Sequence, residues 1–379
     1  MKAVIAMDSF KGSISSVEAG NAVADGIRRA IRDAETVIKP VADGGEGTVE
    51  ALVKGLNGRS CKAEVSDPLG KKITASYGIL PDNTAVIEMA AASGITLIAP
   101  FADAPMYTTT YGTGELILDA INRGCRNFII GIGGSATNDG GIGCLQALGF
   151  GMLDSNGQQV GFGARGLLQL AEITDRNVIP ELKECSFSVA CDVTNPLCGE
   201  NGCSMVFGPQ KSACATSIAI MDIAMQNYAE LTKNYNPAAS PDTSGAGAAG
   251  GLGFALMYYL DAGFEPGIDL IIRETKLEAA IKDADIVVTG EGCLDSQTAM
   301  GKAPVGIARI AKKYDKPVIA FSGAVRNGAE LCNQNGIDAY FPILRAVSTL
   351  EQAMDSSNAY RNLADTAEQV FRTIKLFSK

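Results

Sequence analysis

Four glycine-rich segments of this 379-residue chain carry an acid, a lysine or both: ADGGEGT at 42–48, GIGGSATNDGG at 131–141, GPQK at 208–211 and GEGCLDSQTAMGK at 290–302. Glycine lets backbone N–H groups converge on an anion, lysine neutralises phosphate oxygens, and neighbouring carboxylates can hold a divalent metal. The chain has no histidine, which excludes imidazole catalysis, a His-Cys zinc site and a Ser-His-Asp triad drawn from its own side chains. Proton transfer then falls to Asp, Glu, Lys, Tyr or Cys. The combination points to phosphoryl transfer, where positioning and charge neutralisation supply most of the catalysis.

Asp8, Ser9, Lys11 and Ser13 follow the apolar run 2–7, at the strand edge where open α/β sheets bind ligands. Lys11 is expected to neutralise transferred phosphate or a substrate carboxylate, with Asp8 beside it in the catalytic set and Ser9 as a binding residue. Asp43, Gly44 and Gly45 occupy the equivalent edge of a second strand; the segment is not a Walker A motif, which needs G-x-x-x-x-G-K-[ST], so its phosphate role is nonstandard. The amides of Gly133, Gly134 and Ser135, with the Thr137 hydroxyl and Asn138, are expected to wrap a phosphate where IGCLQALGF opens a helix. Asp192 ends the apolar strand SFSVAC, where burial would raise its pKa and suit it to the role of general base. Asn195, Lys211 and Lys302 are read as substrate or phosphate contacts, and Asp139, Glu291 and Asp295 as metal ligands. Each has a plainer alternative: a solvated loop, a tight turn, glycine kept for close packing, or an Asx-turn before Pro196.

These residues need a frame. KAVIAM at 2–7 reads as a strand, a capping box spans Ser15 and Glu18, and Val23, Ile27 and Ile31 recur on one helical face. TVIKPVA and VEALVKGL form a second strand and helix, and strands recur at 285–289, 317–321 and 339–344. Two strands at the start and three at the end, alternating with helices, make one five-stranded parallel sheet. The fold class is therefore α/β: a discontinuous domain of residues 1–60 and 284–379, with residues 61–283 as an inserted mixed-sheet α/β domain and the active site expected in the cleft between them. The insert opens with a hairpin around DPLGK, adds strands at VIEMA, NFIIGIG and SFSVACD, and contains PAASPDTSGAGAAGGLG at 237–253, an ordered glycine loop feeding a helix.

A net charge of −10 without a basic patch argues against nucleic acid as a partner. No apolar run approaches the ~18 residues of a membrane span, and the N-terminus lacks signal-peptide character. The ten cysteines are scattered without a C-x-x-C pair, as expected of a reduced cytoplasmic protein. Oligomeric state, a homodimer included, stays open.

Taken in order, MDSFKGSISS, PVADGGEGTVEA, EMAAASG, TTYGTGELI, GIGGSATNDGG, ACDVTNPL, FGPQK, GAGAAGGLG and the segment from VVTGEG to GKAP closely resemble the bacterial glycerate kinases that phosphorylate the 2-hydroxyl. The resemblance runs through nearly the whole chain. It implies a kinase with ATP as donor, Mg²⁺ as cofactor, D-glycerate as acceptor, and a flavodoxin-like domain interrupted by a mixed α/β domain. Where that family has arginine this chain has Cys293, where it commonly has histidine this chain has Met300, and where it has glycine this chain has Ser212. Arginine is the natural bidentate partner of a carboxylate and cysteine is not, so a catalytically altered paralogue or a metabolite-binding sensor is the alternative. A dinucleotide-dependent dehydrogenase would need G-x-G-x-x-G after the first strand, where the chain reads DSFKGS.

Overall fold

The computed structural model describes residues 1–42, 45 and 47–377; Asp43, Gly44 and Glu46 of the second glycine segment lie outside the described residues. The chain divides into two compact units, one formed by Met1–Asp43, Glu50–Asn57 and Ile268–Lys379, the other by Gly44–Val49 and Gly58–Gly267.

In the first unit the five expected strands form one wholly parallel sheet, in the spatial order Ala339–Pro342, Val318–Val325, Ile286–Leu294, Lys2–Met7, Glu35–Ile38. Numbered within the unit this is 2-1-3-4-5, the flavodoxin-like order, whose carboxyl edge binds ligands. Its strands are continuous apolar runs because helices cover the sheet. The helix Ser16–Ala30 starts at the expected capping box, with Glu18 N–H donating to Ser15 Oγ and Ser15 N–H donating to Glu18, and buries Val23 and Ile27. It lies close against the C-terminal helix Ser356–Phe377. A Cβ at Gly26 would come within 2.2 Å of the Ala364 carbonyl, so only glycine permits this approach.

Residues 268–283, placed on sequence grounds with the insert, group with the first unit. The helix Leu277–Lys282 runs beside Ala303–Lys313, Tyr314 donates to Glu278, and Ile268 fills the space that Gly306 leaves open.

The second unit carries a six-stranded mixed sheet, ordered Gly263–Glu265, Ser186–Ala190, Asn127–Gly131, Thr84–Glu88, Lys72–Ile79, Arg59–Ser66. The first four strands are parallel and the last two extend the sheet antiparallel, the hairpin expected around DPLGK. Register aligns Glu88, Gly131, Ala190 and Glu265 in one row, so the loops after these strands leave from one edge. The glycine stretch before Leu252 feeds the helix Leu252–Tyr259, as read from sequence. Among the described residues no helix is long and apolar enough to cross a membrane, and all ten cysteines are free thiols.

Candidate active site

In the second unit the segment 131–141 leaves the strand Asn127–Gly131 and behaves as two halves. In the first half, Gly133 and Gly134 are exposed and Gly134 takes φ +74°. Among the described residues nothing accepts a hydrogen bond from the amides of Gly133, Gly134 or Ser135, although Gly134 O and Ala136 N tie the loop to residues 93–95. Successive unpaired N–H groups around a left-handed residue make an anion-binding nest.

The second half turns inward. Thr137, Asn138 and Asp139 are wholly buried, so Thr137 and Asn138 do not line the loop's open face as expected. Asn138 Nδ2 donates to Ser204 Oγ at 2.9 Å and braces the loop from beneath. Asp139 accepts from Thr110 N at 2.8 Å, Thr110 Oγ1 at 2.9 Å and Gly141 N at 3.1 Å. Burial pushes its carboxyl up from the ordinary value, against the downward pull of these donors. With its oxygens so engaged and shut from solvent, Asp139 is an internal fastener and not the metal ligand read from sequence. Gly140 donates to Gly250 O, and a Cβ at Gly141 would come within 2.5 Å of Ala255; here glycine serves close packing.

Lys211, 4% exposed, reaches this loop. Its Nζ donates to Ser135 Oγ at 2.8 Å and to the Thr137 carbonyl at 2.6 Å. Burial drives its pKa down to about 8, so the ammonium is held by the loop at neutral pH and sheds its proton more readily than a surface lysine. Ser212, next in sequence, sits at φ +66°, the conformation that explains why glycine suits this position.

Asp192 ends the strand Ser186–Ala190 at the same edge, but it is exposed, which removes the burial argument for it as base. Its Oδ1 accepts from Gly267 N at 3.1 Å. Asn195 fixes its own turn: Nδ2 donates to the Asn201 carbonyl and its carbonyl accepts from Gly247. Glu88, missed from sequence, ends the strand that pairs with Asn127–Gly131 and accepts from Val49 N at 2.8 Å. An acid at a strand's carboxyl end, the signal used for Asp192, would have found it.

In the first unit Asp8 is 6% exposed and follows the interior strand Lys2–Met7, with its N–H donating to Gly290 O and Ser9 N–H donating to its Oδ1. Gly292 lies under this loop, its Cβ position 3.5 Å from Lys11 N, an ordinary packing distance. Lys11 is exposed. Across the edge, Glu291 is buried and accepts from Thr298 Oγ1 at 2.6 Å, while Asp295 Oδ1 caps the turn Ser296–Ala299 by accepting from Gln297 N and Thr298 N. Thr298 was not picked out from sequence, although its capping-box spacing from Asp295 is visible in DSQT. Lys302 is the N-cap of Ala303–Lys313 and makes no side-chain capping bond; a cation at the positive end of a helix is disfavoured unless an anion joins it. Cys293 is half-buried beside Glu291, and Met300 is 81% exposed. Among the described residues no group of three or more His, Cys, Asp or Glu could hold a metal.

The glycerate kinase family model matches residues 3–375. Over 377 residues the chain is 47% identical to glycerate 2-kinase of Escherichia coli K12, covering 99% of this chain and 98% of that one. Glycerate kinase of Bacillus subtilis 168 is 45% identical with the same coverage. A crystal structure of a candidate glycerate kinase 2 from Salmonella typhimurium LT2 superposes with a TM-score of 0.91 at 45% identity, covering 100% of this chain and 99% of that one. The chain thus belongs to the glycerate kinase family and is, as a member, a kinase.

Proposed function

We propose that this kinase transfers the γ-phosphoryl group of ATP to the 2-hydroxyl of D-glycerate, giving 2-phosphoglycerate, in the cytoplasm. The observation that carries the reading is the run of three amides without acceptors at 133–135 around left-handed Gly134, with buried Lys211 on the Ser135 hydroxyl. Such a nest suits a phosphate or a carboxylate, and the Escherichia relative is named for the 2-position.

The hydroxyl oxygen of glycerate attacks the γ-phosphorus as the bond to the ADP oxygen breaks. Its proton passes to a carboxylate. Asp8, shielded at the edge of the parallel sheet, takes that role in place of exposed Asp192, which with Asn195 orients substrate. Lys11 and Lys302 balance charge on the phosphate oxygens, where positioning and neutralisation do most of the catalysis. Ser9, Asp43, Gly44 and Gly45 complete the binding set. Mg²⁺ takes one or two carboxylates and fills its other positions with phosphates and water. Glu291 and Asp295 therefore fit as a pair that would hold it, and when bound it neutralises the triphosphate.

The test is D-glycerate-dependent ADP release, with EDTA as control and enolase as coupling enzyme, since enolase accepts the 2-phosphate and not the 3-phosphate. ADP release that needs a mutase before enolase responds moves the product to the 3-position; release absent altogether removes the kinase reaction on glycerate.

A further inference from the structure

A hollow of about 590 Å³ in the second unit is lined by Leu69, Phe101, Ala102, Tyr107, Phe162 and Arg165, within the roughly 300–1,000 Å³ of small-molecule sites. Tyr107 is 44% and Phe162 40% exposed, an unusual yield of aromatic surface to water. The Arg165 guanidinium lies 4.8 Å from the Tyr107 ring centre and pairs with no carboxylate among the described residues, in a chain of net charge −10. The rings are set by packing: Tyr111 stands 5.2 Å from Phe162 and Phe101 6.2 Å from Tyr107. Gly163, at φ +77°, lets residues 162–165 approach the Met106 carbonyl, which a Cβ would meet at 2.4 Å.

The segment that lines the hollow is tied to the loops of the anion nest. Asp103 N donates to Ser212 O at 2.8 Å, immediately after Lys211, and Thr108 Oγ1 donates to Ala136 O at 2.9 Å, immediately after Ser135. One ribbon, residues 101–108, thus has aromatic rings on it and is fastened at both ends to the phosphate-binding loops. Aromatic faces and an arginine plane are what a nucleobase stacks on. We propose that this hollow holds the purine base of the nucleotide donor, a role that rests on ATP being the donor.

The test compares ATP with tripolyphosphate, which lacks base and sugar, by calorimetry on the full chain. Tyr107→Ala and Phe162→Ala should each weaken ATP binding on the order of 10- to 100-fold, the span of a lost base–aromatic stack, and leave tripolyphosphate binding unchanged. Tyr107→Phe should keep ATP affinity, which controls for folding, and 8-azido-ATP should label peptides within 101–107 or 162–165 of the wild type. Unchanged ATP affinity in both alanine variants, equal loss of ATP and tripolyphosphate, or no ATP binding by the wild type overturns the assignment. If base-dependent binding holds but D-glycerate elicits no ADP release, the hollow stands and the glycerate reaction falls. Normal ATP-dependent turnover in both alanine variants removes the hollow alone.

Discussion

Replacing Lys211 by Met keeps the length of the side chain and removes its charge and its donors. At pH 7 two effects oppose each other. Ser135 Oγ and the Thr137 carbonyl lose a donor, at about 1–3 kcal/mol for each buried group left unmade. Against this, the wild type bears the cost of a buried ammonium: a pKa lowered from 10.5 to about 8 corresponds to roughly 3 kcal/mol. The variant should therefore fold with stability within about 3 kcal/mol of wild type at pH 7, while kcat/KM falls about 100-fold or more because the loop at 133–135 loses its tether and its cation. Alkaline pH separates the terms. Between pH 8 and 10.5 the unfolded chain still protonates this lysine and the folded chain does not, so unfolding takes up a proton and wild-type stability rises with pH. Below pH 8 both states hold the proton and the contribution is flat at its lowest. Urea unfolding of both proteins at pH 7, 8.5 and 10 should show the wild type gaining most of about 3 kcal/mol on the variant, since the tyrosines and the cysteines other than Cys203 titrate alike in both and cancel, and burial holds the Cys203 thiol protonated over this range. A difference that stays constant over this range refutes the sealed ammonium.

Gly134→Ala forces a side chain into φ +74°, with its Cβ 3.3 Å from Ala90; about 1–2 kcal/mol of stability should go, with a larger loss in kcat/KM, and equal losses in thermal and kinetic assays would make the nest merely structural. Thr298→Val strips the hydroxyl from buried Glu291, so stability should fall by about 1–3 kcal/mol and the Mg²⁺ requirement should rise, with Thr298→Ser restoring both; an unchanged Mg²⁺ titration counts against Glu291 as ligand. Asp8→Asn should lower kcat by roughly 10²- to 10⁴-fold, and Asp192→Asn far less; the reverse order in steady-state kinetics returns the base to Asp192. Ser212→Gly relieves a left-handed residue and should raise urea stability by up to about 1 kcal/mol with kinetics unaltered.

The parallel sheet of the first unit was legible because each strand is a short apolar run alternating with helix-like stretches, and right-handed crossovers leave few ways to order five such strands. Within GIGGSATNDGG local pattern ran out. Gly133 and Gly141 look alike in sequence, yet one is exposed and the other abuts Ala255; the difference is made by residues 248–255, far along the chain. Asp139 misled for the same reason, since the donors that absorb its charge come from Thr110. Asp192 satisfied the rule for an acid at a strand end, but only tertiary packing could say whether water reaches it. The rings of Phe101, Tyr107 and Phe162 had no common motif to announce them. By contrast, the capping box at Ser15 and Glu18 was read correctly because every group in it is local.

The strand Lys2–Met7 stands between Glu35–Ile38 and Ile286–Leu294, so during synthesis it lacks one neighbour until the chain has grown past residue 286. The unit of residues 58–267 has all its strands in hand much earlier. Synthesis therefore orders assembly: the unit of residues 58–267 can close while the strand Lys2–Met7 waits with an apolar edge uncovered, a hazard that favours chaperone capture. A polypeptide halted before residue 286 should resist protease across 58–267 and be cut readily within 1–42, whereas the full chain protects both.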